Sequence, residues 1–182
     1  SGSDIVLGGL ALDSLSGGGK GSLAGGGFLQ ARLDAAGGSI AGRSFESLSL
    51  NLEGLPGGHR LLLNMDYANG EVNLAAAGVL DGGAWSGEVV EAGIQTMEFG
   101  DWHLTDAAGL EIDGRDMHLA EACFTGGGPA RVCLAAGHQR SGDWQGRADV
   151  HALPLSVLQG IQGRETVIKG ELTGSLSVAG RA

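Results

Sequence analysis

The sequence predicts an all-β protein of mostly antiparallel strands with at most one short helix. Three observations carry that expectation. Of 182 residues, 36 are Gly, about a fifth of the chain against a usual share of about 7%. Gly at that density disfavours helices, since each one inside a helix costs about 1 kcal/mol. Apolar and polar residues alternate with a period of two along most of the chain, as strands with one oily and one wet face do. Short Gly-rich stretches separate these runs and read as turns. The glycines come in clusters such as Gly17-Gly18-Gly19 and Gly25-Gly26-Gly27, which excludes a collagen helix with Gly at every third position.

The elements follow in chain order. Asp4 to Leu12 reads as one strand, apolar at both parities (Ile5, Val6, Leu7, Leu10, Leu12) and therefore covered on both sides. In Phe45 to Glu53, Leu48, Leu50 and Leu52 alternate with Ser47, Ser49, Asn51 and Glu53. His59 to Tyr67 places Leu61, Leu63, Met65 and Tyr67 on one face, and Glu71 to Leu80 does the same with Val72, Leu74, Ala76 and Leu80. Asn69-Gly70 between them is the sharpest two-residue hairpin signal, with further turns at Gly54–Gly58, Asp81-Gly82-Gly83 and Gly126–Pro129. Later, Trp144, Gly146, Ala148, Val150 and Ala152 oppose Asp143, Gln145, Arg147, Asp149 and His151. The last strand sets Leu172, Gly174, Leu176, Val178 and Gly180 against Glu171, Thr173, Ser175, Ser177 and Arg181. Leu155, Leu158 and Ile161 after Pro154 mark the one helical stretch.

The oily faces are filled by Leu, Val, Ala and Gly, with three Trp and one Tyr in the whole chain. Close-packed cores lean on larger side chains, whereas inward Gly leaves room or lets a sheet bend. One curved sheet over a poorly filled apolar interior fits this filling, with an ordinary sandwich as the alternative.

Charge and composition narrow the function classes. A net charge of −10 and a pI near 4.7 repel phosphates, against a nucleic-acid surface. Leu, Ile, Val and Phe make up about a quarter of the chain, above the roughly 20% below which disorder is expected. No apolar run approaches 20 residues and no signal peptide opens the chain. Ser1-Gly2-Ser3 reads as a cloning remnant ahead of a single β domain over residues 4–182, a fragment of a longer protein.

Cys123 and Cys133 flank the Gly126–Pro129 turn symmetrically. A hairpin there sets them opposite one another, which suits a disulfide and an oxidising compartment; two buried thiols are the alternative. No Gly-x-Ser-x-Gly nucleophile elbow occurs, and Gly17–Gly21 lacks the Ser or Thr a phosphate loop needs after Lys20. His59, His103, His118, His138 and His151 lack partners at metal-ligand spacing and take surface or hairpin roles. Asp101, Asp106, Glu111, Asp113 and Asp116 resemble paired glycosidase carboxylates, but an acidic chain carries such a cluster anyway. Trp144, on the oily parity, reads as core or lining rather than a sugar platform. No catalytic residue, metal or cofactor is expected, and the chain is not expected to be an enzyme.

The order of several segments resembles the TamB family, the inner-membrane-anchored subunit of the translocation and assembly module within the AsmA-like group. The likeness lies in Ser47–Gly54 (SLSLNLEG), then HRLLLNMDY, Leu74–Val89 (LAAAGVLDGGAWSGEV), Ala122–Leu134 (ACFTGGGPARVCL), Asp143–Gly160 (DWQGRADVHALPLSVLQG) and the closing GELTGSLSVAG. The resemblance implies a long sheet folded into a taco-like trough, acting in the periplasm as a hydrophobic conduit between inner and outer membranes. The implied cargo is phospholipid acyl chains or nascent β-barrel strands, including those of autotransporters, and the implied partner is an Omp85-type, TamA-like outer-membrane protein met through regions outside this chain. On that reading Leu48, Leu50, Leu52, Leu61, Leu63, Met65, Val72, Leu74, Leu172, Leu176 and Val178 line the groove, because they share parity in neighbouring strands. The rivals are a β-solenoid structural or adhesin segment of a secreted protein and an oligosaccharide-processing β protein.

Overall fold

The computed structural model of the chain describes residues 2–7, 10–22, 27–40, 42–97, 100–157 and 169–181. They form thirteen strands: β1 (Gly2–Leu7), β2 (Leu10–Gly21), β3 (Leu29–Ile40), β4 (Arg43–Leu55), β5 (Gly58–Tyr67), β6 (Gly70–Asp81), β7 (Ala84–Thr96), β8 (Gly100–Leu104), β9 (Ala108–Asp113), β10 (Asp116–Thr125), β11 (Arg131–His138), β12 (Asp143–Pro154) and β13 (Glu171–Arg181). All lie in one sheet in chain order. Every pairing is antiparallel. The all-β expectation holds. A β-solenoid requires coils that return to parallel neighbours, so that rival is overturned.

β8 and β9 share one position in the sheet. β7 pairs β9 through Ala84–Val89 and β8 through Gly93–Thr96. On the other side, β10 pairs β9 through Asp116–Leu119 and β8 through Phe124 and Thr125. The neighbouring strands are interrupted at the same level. β7 shifts register opposite Ala75 and Ala76, with Val90 as its extra residue, and β10 shifts between Leu119 and Ala122. Such bulges bend a strand and reverse which parity faces the core.

A third irregularity corrects the expected alternation of β12. The register moves between Val150 and Leu153, so Leu153 pairs Leu172 while Ala152 falls inside the bulge. Ala152 adopts φ 47°, a left-handed conformation that an L-residue with a Cβ resists. Its N–H donates to Thr173 Oγ1 at 3.0 Å, so the bulge leaves no orphaned donor there.

Further expectations change. Asp4–Leu12 is two strands rather than one, because Leu7 pairs Leu10 and Ile5 pairs Leu12. Its double parity comes from a reversal, and Val6, 73% exposed, is not covered on both sides. Strand β1 also begins at Gly2, ahead of the expected Asp4. The reversal expected at Asn69-Gly70 falls one residue earlier, since Tyr67 pairs Gly70 and leaves Ala68 and Asn69 as the loop. Of the helix expected over Leu155–Ile161, Ser156 and Val157 are helical, and 158–161 lie outside the described residues.

The packed core is small and sits at one end. Leu12, Ala35, Phe45 and Met65 are buried together, with Ile5, Leu10, Leu15, Leu48, Leu63, Tyr67 and Val72 against them. Phe45 has the parity of Ser47 and Ser49 yet joins this cluster. Gly37 and Gly38 of β3 have φ 75° and 156°, which interrupts the regular pleat, and the Phe45 ring occupies the space a Cβ at Gly38 would need, 2.6 Å from its Cζ.

Candidate functional site: an open apolar face

The strand registers collect the apolar residues on one face of the sheet. One row runs Leu15, Ala35, Leu48, Met65, Val72, Ile94, Trp102 from β2 to β8. The next runs Leu33, Leu50, Leu63, Leu74, Ala92, and another Ala31, Leu52, Leu61, Ala76, Val89, Ala108. Towards the other edge the same face carries Leu104, Phe124, Val132, Val150, Gly174 and, a row on, Ala122, Leu134, Ala148, Leu176.

The eight expected lining residues from Leu48 to Leu74 therefore come together across β4, β5 and β6. Leu172, Leu176 and Val178 lie on the same face but on β13, at the far edge of the sheet. Sequence parity did not reveal Leu33, Ile94, Ile112, Met117 or Leu134 as members. The bulges in β7 and β10 explain the misses there, because parity changes partway along those strands.

The opposite face is largely polar, with Leu62, Ala75, Ala77 and Val79 among its apolar members. A row of directly paired positions runs Ser16, Asp34, Ser49, Asn64, Asn73, Gly93, His103, Thr125, Arg131, His151. Arg32 and Asp34 form a two-pronged contact at 2.7 and 2.9 Å, as Arg147 and Asp149 do at 2.6 and 3.3 Å. The hydrogen bond from Arg32 holds the Asp34 carboxyl below the usual carboxylate range, and Arg147 does the same for Asp149. Asn73 Nδ2 donates to Glu91 at 2.8 Å, and Ser47 donates to Asp66. All of these groups are solvent-exposed, so they keep this face wet and add little stability.

Cys123 and Cys133 pair directly on β10 and β11, on the polar side, with Cα atoms 4.0 Å apart and sulfur atoms at bonding distance. Glu121 is beside them, the one grouping of metal-type ligands among the described residues; sulfurs that bond one another leave no thiolate for an ion. The expected carboxylate cluster is divided. Glu111, Asp113 and Asp116 line a hollow with His138, Asp143 and Trp144, and Asp101 and Asp106 do not. Asp116 accepts the backbone N–H of Arg140.

What distinguishes the apolar face is how little covers it. Ile94, Ile112, Met117, Leu134, Trp144, Leu172 and Val178 are each about two-fifths exposed, and Leu176 is 61% exposed. Soluble proteins rarely leave a contiguous apolar patch of this extent without a ligand or partner for it. The three tryptophans lie flat against glycines on this side. A Cβ at Gly78 would stand 2.5 Å from Trp85, one at Gly126 2.7 Å from Trp102, and one at Gly180 2.6 Å from Trp144. Bare backbone thus receives each ring. Gly174, by contrast, has nothing within 4 Å of its Cβ position, so it leaves open space.

Of the surface or hairpin role expected for His59, the structure shows the hairpin: it follows the β4–β5 turn and is buried, and Trp85 Nε1–H donates to its Nε2 at 2.7 Å. An indole N–H is only a donor, so Nε2 accepts and Nδ1 carries the proton, donating to Leu55 O at 3.2 Å. No local signal marks this pair, because 26 residues separate its members. It closes the end of the apolar face between the β4–β5 turn and β7.

A single antiparallel sheet, wet on one side and with an open aliphatic face on the other, is the class of protein this geometry defines. The chain belongs to the family described as TamB, N-terminal domain, which matches it over residues 1–182. That family is linked to outer-membrane protein assembly and lipid transport, partners TamA in general, and spans the periplasm from an inner-membrane anchor. No match is found among curated proteins or among solved structures. Among the described residues no helix is long and apolar enough to cross a membrane.

Proposed function

We propose that this chain is a non-enzymatic segment of a periplasmic hydrophobic conduit, in which the sheet curls lengthwise into a trough and acyl chains of phospholipids slide along its apolar face. The observation that supports this reading most is the exposure of large aliphatic side chains in register across the sheet. Each CH₂ kept out of water gains about 0.8 kcal/mol, so a run of Leu, Ile and Val offers a bound chain a continuous favourable path. Conduction requires no convergent polar groups. The side chains along these rows are apolar, mostly aliphatic or small with Trp102 and Phe124 among them, and His59 lies at one end.

Leu48, Leu50, Leu52, Leu61, Leu63, Met65, Val72, Leu74, Leu172, Leu176 and Val178 line this path, joined by Leu33, Ile94 and Leu134. Leu48, Leu63, Met65 and Val72 also form its closed end, because they belong to the packed cluster. Segments of unfolded outer-membrane proteins with one apolar side are the second cargo such a face accommodates. An oxidised Cys123–Cys133 pair fits the periplasm, and a TamA-like partner would be met through other regions of the protein.

Lipid extraction followed by mass spectrometry tests the reading. Phospholipid should co-purify with the chain expressed in the periplasm, and Leu134→Asp with Leu50→Asp should strip it while far-UV circular dichroism stays unchanged. Recovery of the same lipid from the charged variant would refute acyl-chain binding on this face.

A further inference from the structure

β10 and β11 bring three metal-type donors together on the polar face. Cys123 and Cys133 oppose each other directly, with Cα atoms 4.0 Å apart. Glu121 occupies the bulge just before them, where the register shift leaves both Ala120 and Glu121 opposite Ala135. One carboxylate oxygen of Glu121 and the two sulfurs lie within 4.8 Å of one another. Asp149 opposes Cys133 from β12, but its two oxygens are held by Arg147 at 2.6 and 3.3 Å. The available donor set is therefore two sulfurs and one carboxylate, on two strands that the sheet already holds side by side.

We infer that in the dithiol state this trio binds one thiophilic divalent cation of the zinc type, held by both thiolates and the Glu121 carboxylate with water in the fourth position. Every chain is made with its thiols reduced, so the dithiol precedes the bond between Cys123 and Cys133. Thiolate donors select zinc-like ions over magnesium or calcium, which take oxygen. Three protein donors and one water complete the tetrahedron that zinc prefers. Such an ion holds its donors about 3.5–3.8 Å apart, so the sulfurs move apart and the carboxylate closes in without a change of strand register. Binding displaces one proton from each thiol. Disulfide formation instead passes two electrons and two protons to an oxidising protein disulfide, which leaves as a dithiol. The same two sulfurs serve both states, so ion and disulfide exclude one another. In either state β10 is tied to β11 beside the bulge, first by metal and later by a covalent bond.

Cobalt(II) titration of the phosphine-reduced chain under nitrogen tests the site. One ion per chain should bind, with a thiolate-to-cobalt charge-transfer band in the near ultraviolet and the visible bands of tetrahedral cobalt. Added zinc should bleach both. The oxidised chain and Cys123→Ser should show neither. Glu121→Gln should weaken cobalt binding by at least the roughly tenfold that loss of an outer-shell partner costs a metal site, while far-UV circular dichroism stays unchanged. Zinc should also slow disulfide formation by oxidised glutathione, followed as loss of titratable thiols. A reduced chain that takes up no cobalt overturns the proposal, as does an octahedral spectrum. Equal affinity in Glu121→Gln does the same, since cobalt held by the cysteines of an unfolded hairpin would be indifferent to that carboxylate. An oxidation rate unaffected by zinc overturns the mutual exclusion of ion and disulfide.

Discussion

Met65 and Leu134 occupy the same face of one sheet under opposite conditions. Met65 is buried in a cluster with Leu12, Ala35 and Phe45, whereas Leu134, on β11 towards the other edge of the sheet, is 41% exposed. Both are large apolar residues in alternating strands, so strand pattern does not separate them. The difference lies in what stands across the sheet. At the first end β1, β2 and the displaced ring of Phe45 bring apolar groups over the face. At the second the neighbours are Gly146, Gly174, Ala136 and Ala148, which add no height. One end therefore acts as a core and holds the fold, while the other offers a surface.

Substitutions can break that comparison. Phe45→Ala should have the largest effect, about 3–5 kcal/mol by urea unfolding, since it empties a packed site. Removing both sulfurs with Cys123→Ala and Cys133→Ala should cost about 2–4 kcal/mol through the freed hairpin, seen as a lower thermal midpoint that added reductant no longer changes. Trp85→Phe keeps the ring over Gly78 but leaves His59 Nε2 without its donor, for about 1–3 kcal/mol; the ¹⁵N spectrum of the imidazole should lose its single-tautomer signature. Leu134→Asp should cost less than about 1 kcal/mol, as exposed positions do. If instead it unfolds the chain as Phe45→Ala does, the face is closed along its whole length and the conduit fails.

The smallest effect concerns acid. Asp34 and Asp149 titrate below the usual carboxylate range because Arg32 and Arg147 hydrogen-bond them. Their contribution is present above the ordinary carboxylate pKa and disappears as pH falls through the lowered values. Asp34→Asn with Asp149→Asn should therefore flatten the loss of stability below about pH 4, and the difference should shrink in high salt because both pairs are exposed.

Much of this architecture was legible in the residues. The alternation of Leu48, Leu50 and Leu52 with polar neighbours, and of Leu61, Leu63 and Met65 after the next turn, placed β4 and β5 side by side with one face in common. The two cysteines and the Gly-rich turn between them placed β10 against β11. Reading failed where one residue disturbs the count. Val90, the Leu119–Ala122 shift and Ala152 each turn a strand over midway, so Ile94 and Leu153 take positions that parity assigns to others. Asp4–Leu12 failed for a related reason, since a reversal inside an apolar run looks like a strand apolar on both sides.

By itself the sequence determined the class of fold, most of the turns and the separation of an oily from a wet face, because period-two alternation and Gly-rich reversals act between neighbours along the chain. Only the tertiary structure decided which part of the oily face is core and which is open. It also decided that Trp85 reaches His59 and that glycines receive the three indole rings. Those outcomes depend on what lies opposite a residue across many strands, and cover from distant strands is a property of the assembled sheet.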